Sequence, residues 1–456
     1  MLAAAICASL VVAEASGLIE RLVREEMSAQ KIPGVSVAVV KDGKVVYSKG
    51  FGLANVELGV KATDRTVYQI QSVTKQFIAA AVMLLVQDGK LGLDDPLSKH
   101  LENTPESWKE VTIRHLLTHT SGIKDFINEP TQSLKLEVTE QDVFDASAAR
   151  PLNFKPGEKY QYSNTNYHLL AMVIRKLTGK AYGEFLAERI FKPLKMDDTT
   201  IVSLRGIVER RAAGYLMEGG KMRNGEYVAQ SVLSYAGGGV MSTVLDMAKW
   251  DVALDGDTVL TPASKKEMWS PMKLRDGGLS AYGFGWLLGS INGHRELAHS
   301  GGHVTGFTSF YAKYPDDRLS VIVLTNAGWG NPAKVAREVA GVFVPALKTE
   351  EPKPIEDKEP AVRALLEKVL QQARSQNLDL SLMSERMKQV LTPEMVRQGA
   401  EMLKDYGKVV KIELVKRETV RGVKVSTYRV HFEKAKIYCV LALGEDGLIE
   451  GLQFTL

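Results

Sequence analysis

Residues 34–52, GVSVAVVKDGKVVYSKGFG, place two β-branched runs on either side of Asp42-Gly43. This dipeptide between apolar runs predicts a tight hairpin, because Asp and Gly tolerate the positive φ values of a two-residue turn. Strand patterns return over about residues 281–326: YGFGWLLG, then TSFYAKYP and LSVIVLTN separated by a Pro-Asp-Asp turn. Between the two regions, from about 70 to 250, the apolar spacing is mostly helical and is broken by Gly and Pro. Strands at both ends of a helical stretch predict an α/β domain of the α+β type. Its one antiparallel sheet would be shared by the two ends, flanked by helices, with a helical subdomain beside it.

The composition changes at KTEEPKPIEDKEP, residues 348–360, where three prolines and eight charges fall in 13 positions. So polar a stretch predicts a linker. Beyond it, Leu365, Leu366, Val369, Leu370 and Ala373 mark a helix, and alternating runs from Val410 onward mark strands. Gly444-Glu-Asp-Gly447 would turn the chain into a last strand, LIEGLQFTL. The organisation expected is therefore a signal peptide at 1–16, a large domain at 17–347, a linker at 348–360 and a small C-terminal α+β domain at 361–456.

The chain has 456 residues, 45% of them hydrophobic and 25% charged, enough apolar surface for a large core. Its 58 Lys and Arg against 54 Asp and Glu give a net charge of +4 without a basic tract, so no nucleic-acid partner is expected. The two cysteines, Cys7 and Cys439, are too few for a disulfide framework or a cysteine zinc site. Residues 2–13 are apolar but shorter than the roughly 20 residues that span a membrane. Ala13-Glu14-Ala15 follows them as a small-x-small cleavage pattern before Ser16, although no Lys or Arg precedes Arg21. An exported protein, periplasmic or secreted, without an integral membrane segment is the expectation.

The stretch richest in chemistry is Gln71-Ser72-Val73-Thr74-Lys75, ahead of the apolar helical run FIAAAVMLLVQDGKL. Ser-x-x-Lys at a helix start puts a hydroxyl and an ammonium one turn apart on one face, beside the unpaired N–H groups of the helix end. An acylated serine needs a basic neighbour and oxyanion donors, both of which such a turn offers. The plain alternative is that Ser72 caps the helix. Tyr162 and Asn164, two apart in a loop before YHLLAMVIRKLTG, and His299-Ser300-Gly301-Gly302, before a strand, complete the set. Turn chemistry accounts equally for the former, and a packed strand-end histidine for the latter. Two His-x-x-x-His pairs, His115/His119 and His299/His303, lack the adjacent Glu of a metallohydrolase helix, so no metal is expected. His119, in LLTHTSG, reads as a structural loop residue. No Gly-x-Ser-x-Gly elbow supports an α/β-hydrolase.

SVTK, YSN and HSG, in this order, resemble the Ser-x-x-Lys, Tyr-x-Asn and Lys/His-x-Gly motifs of the class C β-lactamase family. That family includes penicillin-binding DD-peptidases and related esterases. PGVSVAVVKDGKVVYSKGFG, KLGLDDPLSKHL, HLLTHTSGI and AGGGVMSTVLDMAKW are similar to the family as well, and the resemblance covers about residues 18–345. It implies a β-lactamase/transpeptidase-like fold and a cofactor-free, metal-free serine hydrolase acting on a small ester, β-lactam or peptide. Ser72 would be the acylated nucleophile, and Lys75 and Tyr162 would share the general base and acid work. Asn164, His299 and Gly301 would bind substrate, and the backbone N–H groups of Ser72 and Gly302 would form the oxyanion hole. Unperturbed Tyr and Lys titrate near about 10 and 10.4, so either needs strong depression to act as a base at neutral pH. His299 departs from the usual Lys of class C β-lactamases; an imidazole holds a substrate carboxylate less firmly, which favours an ester or peptide. A slow-deacylating penicillin-binding sensor or a non-catalytic binding protein is the alternative. The C-terminal domain resembles the small cones of the nuclear-transport-factor-like type, where oligomerisation or partial cover of the site mouth is the expected role.

Overall fold

The computed structural model of the protein describes residues 2–126, 134–348, 351–391, 393–420 and 422–455. Two compact units emerge: Met1–Met217 with Met222–Thr349, and Glu350–Leu456 with Glu218–Lys221.

The larger unit opens with helix α1 (Leu2–Gln30), followed by strands β1 (Gly34–Lys41), β2 (Lys44–Asn55) and the short β3 (Val60–Lys61). Asp42 and Gly43 take φ values of 52° and 72°, as a type I′ turn requires, and Lys41 pairs with Lys44. The hairpin is the one the sequence predicts. Strands β4 (Leu287–Ile291), β5 (His294–His303), β6 (Phe307–Tyr314) and β7 (Leu319–Thr325) complete an antiparallel sheet in the order β4-β5-β6-β7-β1-β2-β3. The two ends of the unit meet where β7 pairs with β1, Val323 opposite Val37.

Strand β1 is buried from Gly34 to Val40, because both faces of the sheet are covered. Val35, Val37 and Val39 pack with Ile19 and Val23 of α1 and with Val335 and Val339 of the helix at Pro332–Phe343. Ala38 and Val40, pointing the other way as the two-residue period demands, join the core beneath α2 (Thr74–Gln87), α3 (Asn164–Thr178) and α4 (Val244–Asp255). Helix α2 is buried from Thr74 to Leu85, which explains its apolar run without a polar face. Its Phe77 sits against Trp250 and Phe191, with ring centroids 4.9 and 5.4 Å away.

The smaller unit carries helices α5 (Pro360–Arg374) and α6 (Pro393–Tyr406) before a four-stranded antiparallel meander. The strands are β8 (Val409–Val420), β9 (Val423–Phe432), β10 (Lys436–Leu443) and β11 (Ile449–Thr455). Cys439 lies in its core, where burial pushes the thiol up to about 12. The charged stretch read as a linker differs from expectation over its described residues; residues 349–350 lie outside them. Ile355 N–H donates to Leu414 O at 2.8 Å, Asp357 pairs with Arg417 at 2.9 Å, and Glu359 pairs with Lys424. Asp357 and Glu359 thus find counter-charges on β8 and β9, so the segment lies along its own unit's sheet.

All five tryptophans belong to the larger unit, so their fluorescence reports on it alone. Phe77→Ala should lower that unit's stability in urea by about 3–5 kcal/mol, the cost of emptying a large aromatic site. A loss under about 1 kcal/mol would contradict this packing.

Candidate active site

Ser72 sits in a 3₁₀ turn, Gln71–Val73, that runs directly into α2. It is not the helix cap: Val73 holds that position, without a side-chain cap. Gln71 has φ 51°, a left-handed value that non-glycine residues adopt at a cost. Its Nε2 donates to Gln69 Oε1 at 2.8 Å and to Thr305 Oγ1 at 3.0 Å, which fixes the turn from the side opposite Lys75.

Lys75 is fully buried. Its Nζ donates to Gly237 O at 2.7 Å and Asn164 Oδ1 at 2.9 Å, and lies 3.2 Å from Ser72 Oγ. Rings surround the rest: the Tyr162 and Tyr167 centroids are 4.8 and 5.5 Å from the ammonium. Burial lowers the Lys75 pKa to about 7, against a smaller opposing pull from the Asp125 carboxylate. Tyr162 moves the other way. Burial first, then the neighbouring Tyr235, pushes its phenol well above 10, although a hydrogen bond with Ser72 pulls it down somewhat. Burial thus moves the two groups in opposite directions, the lysine down toward neutrality and the tyrosine away from it.

Asn164 differs from a free substrate hook. Its Oδ1 accepts from Lys75 and from Tyr235 OH at 3.0 Å, and its Nδ2 donates to Asp125 at 2.9 Å, so it links the lysine to a carboxylate. His299 differs as well. Its imidazole is 3% exposed, Nε2 meets Tyr282 OH at 2.8 Å and Nδ1 meets Ser300 O at 2.7 Å. Burial, helped by the Lys75 charge, lowers it to about 3, so the ring is neutral and neither nitrogen is spare for a substrate carboxylate. His303 has its side chain outside the described residues. Of the other histidine pair, His115 has Nδ1 taken by Thr112 at the start of a short helix. Among the described residues no three His, Cys, Asp or Glu side chains converge as metal ligands.

Gly301 and Gly302 lie on β5, where the sheet edge is open. Strand β4 begins at Leu287, opposite Ala298, so no described strand pairs with residues 299–303 on that side, and the Ser72 turn packs on the face of β5 and β6 beside this edge. A Cβ on Gly301 would come within 2.4 Å of Ile70 O and Ser309 Oγ and 2.8 Å of Gln71 Cβ; on Gly302 the nearest atom would be 3.7 Å away. Gly301 therefore permits the close approach of turn and strand. Sequence reading missed Asp125, Tyr235, Gly237 and Tyr282, which come from separate parts of the chain; the triplet Gly237–Gly239 was the one visible signal.

Gly301→Ala should separate turn from strand, lowering stability by about 1–3 kcal/mol and activity by about tenfold or more. Gly302→Ala should fold like the parent. Equal melting temperatures for the two variants would contradict the packing described.

The family model described as Beta-lactamase matches residues 19–342. The chain is 32% identical over 308 residues to Penicillin-binding protein 4* of Bacillus subtilis (strain 168), covering 64% of this chain and 67% of that protein. It is 27% identical, with a TM-score of 0.63, to the D-amino acid amidase of Ochrobactrum anthropi SV3 solved with L-phenylalanine amide, over 73% of this chain and 98% of that one. The octameric penicillin-binding protein homologue of Pyrococcus abyssi shares the fold over 97% of this chain and 100% of its own, at a TM-score of 0.65 and 24% identity. Among the described residues no helix is long and apolar enough to cross a membrane. A sheet closed by its two chain ends, a serine turn packed against β5 and a family match over residues 19–342 lead to one assignment: the chain belongs to the Beta-lactamase family, as a serine hydrolase.

Proposed function

We propose that the chain cleaves an ester or amide through a covalent acyl-enzyme on Ser72. The observation that carries this reading is the buried Lys75 Nζ, 3.2 Å from Ser72 Oγ with its pKa lowered to about 7. Neutral Lys75 takes the Ser72 hydroxyl proton as Oγ bonds to the substrate carbonyl carbon. The carbonyl oxygen, now negative, lies between the N–H groups of Ser72 and Gly302, across the open edge of β5. The proton returns from Lys75 by way of Tyr162, which passes one to the leaving alcohol or amine as its bond to carbon breaks. Water then attacks the acyl-enzyme, Lys75 again removes the proton, and Ser72 is regenerated with release of the acid. Tyr162 stays protonated at neutral pH, so it serves as donor and relay rather than as the first base.

Neutral, internally bonded His299 offers no cation for the carboxylate that a β-lactam presents, which supports a small neutral ester or amide as substrate. Export through residues 1–16 and self-association through residues 361–456 belong to the same proposal. The octameric P. abyssi homologue is the reason to test the latter; sedimentation as a monomer would remove it.

A time course with a short p-nitrophenyl acyl ester beside a chromogenic cephalosporin, with intact-mass spectrometry, tests the reading. Sustained ester turnover, little cephalosporin cleavage and no adduct on Ser72→Ala are expected. A persistent cephalosporin adduct without turnover of either would identify a penicillin-binding sensor instead. Because a protonated amine cannot accept the hydroxyl proton, kcat/KM should fall on the acid side through an apparent pKa of about 7 and stay level above it. A profile flat from about pH 5 to 9 would remove Lys75 as base.

A further inference from the structure

We infer that His119 is the positioning residue that holds Tyr162 in line for proton transfer to the leaving group, an inference that rests on Tyr162 being that donor. His119 is fully buried and takes φ 55°, a left-handed conformation a ring-bearing side chain seldom adopts. That conformation lets one residue grip three consecutive ones. Gln161 N–H donates to His119 O at 2.9 Å, and Ser163 N–H donates to His119 Nδ1 at 3.2 Å. Between them, the Tyr162 ring lies on the imidazole at a centroid distance of 4.3 Å and a tilt of 34°. The residues before and after the phenol are thus pinned by His119 atoms, and the phenol's own ring rests on the same side chain.

The grip is itself braced. Asn166 Nδ2 lies 3.3 Å from His119 Nδ1, while Asn166 Oδ1 accepts from Ser121 Oγ at 2.7 Å. Tyr167 stacks on the imidazole at 5.1 Å, and Tyr282 meets it edge-on at 4.8 Å. Since Nδ1 accepts, the neutral ring carries its proton on Nε2, and that atom has no hydrogen-bond partner among the described residues. A buried donor left unpaired costs free energy, and Nδ1 alone supplies the acceptor that Ser163 uses. Burial, then the Lys75 charge, holds the imidazole well below its usual pKa, so no second cation competes with Lys75. A loop histidine that only filled space would not need Nδ1 directed at the residue next to the phenol.

The test uses the leaving group. A p-nitrophenolate departs without a proton, whereas an alkoxide needs the one Tyr162 delivers. Tyr162→Phe should therefore lose about 10²-fold in kcat/KM on an alkyl ester and far less on the matching p-nitrophenyl ester. His119→Asn keeps a side-chain acceptor and tolerates positive φ but removes the ring; His119→Gln serves if that variant fails to fold. Either should lose about tenfold or more on the alkyl ester, mainly in kcat with KM little changed, and about twofold on the p-nitrophenyl ester. In the Tyr162→Phe background the same substitution should cost nothing further, because the group it positions is gone. Equal losses on the two esters, or a loss that adds to that of Tyr162→Phe, would overturn the inference. If Tyr162→Phe itself fails to distinguish the esters, the proton-donor reading falls instead, and with it the basis for His119.

Discussion

Removing one ammonium from water is the constraint on which this site depends. Lys75 could have been kept charged by a directly paired carboxylate, but its Nζ meets a backbone carbonyl, an amide oxygen and a hydroxyl, with two phenol rings nearby. Asp125 acts at one remove, through Asn164. This arrangement hydrogen-bonds the amine without a contacting anion, so desolvation prevails and the free base forms near neutrality. The neighbours conform to the same rule. His299 and His119 are held neutral, and Tyr162 and Tyr235 remain phenols, so none of these four adds a cation or a phenolate beside Lys75 at neutral pH.

Placing the serine against such a lysine requires a sheet with an open edge. The β7–β1 pairing closes the large unit and fixes β5 and β6 beside it, and the late start of β4 leaves residues 299–303 uncovered. The Ser72 turn packs on the face of β5 and β6 beside that edge at backbone distance, which Gly301 permits, and Ser309 Oγ donates to Ile70 O at 2.7 Å to hold it there. The left-handed Gln71 is the local cost of bending from strand into helix so sharply, offset by its bonds to Gln69 and Thr305. The same economy recurs at His119, where another left-handed residue brings a ring and two acceptors onto the tyrosine loop.

The features legible in the sequence are those carried by local periodicity or spacing. Asp42-Gly43 between β-branched runs predicted its hairpin, and Ser72 and Lys75 lay one helical turn apart by count alone. The seven-stranded sheet order was legible only as the joining of two distant strand regions. What could not be read was partnership across long sequence separations: Lys75 with Gly237, Asn164 with Asp125, His119 with Ser163. Those pairings decide chemistry that residue type leaves open. Burial moves Lys75 down and Tyr162 up, and His299 is hydrogen-bonded to Tyr282, neither of which residue type alone reveals. The contacts of residues 351–359 were not legible for a related reason, since counter-charges on β8 and β9 lie far along the chain.

The buried amine of Lys75, the proposed base, can be observed without substrate. Titrating the protein with carbon-13 at the lysine ε position, and assigning Lys75 by its loss in Lys75→Met, reads the protonation state directly. The account predicts a resonance whose midpoint lies at about 7, set apart from the surface lysines. A Lys75 midpoint within the ordinary lysine range, near about 10.4, would contradict it.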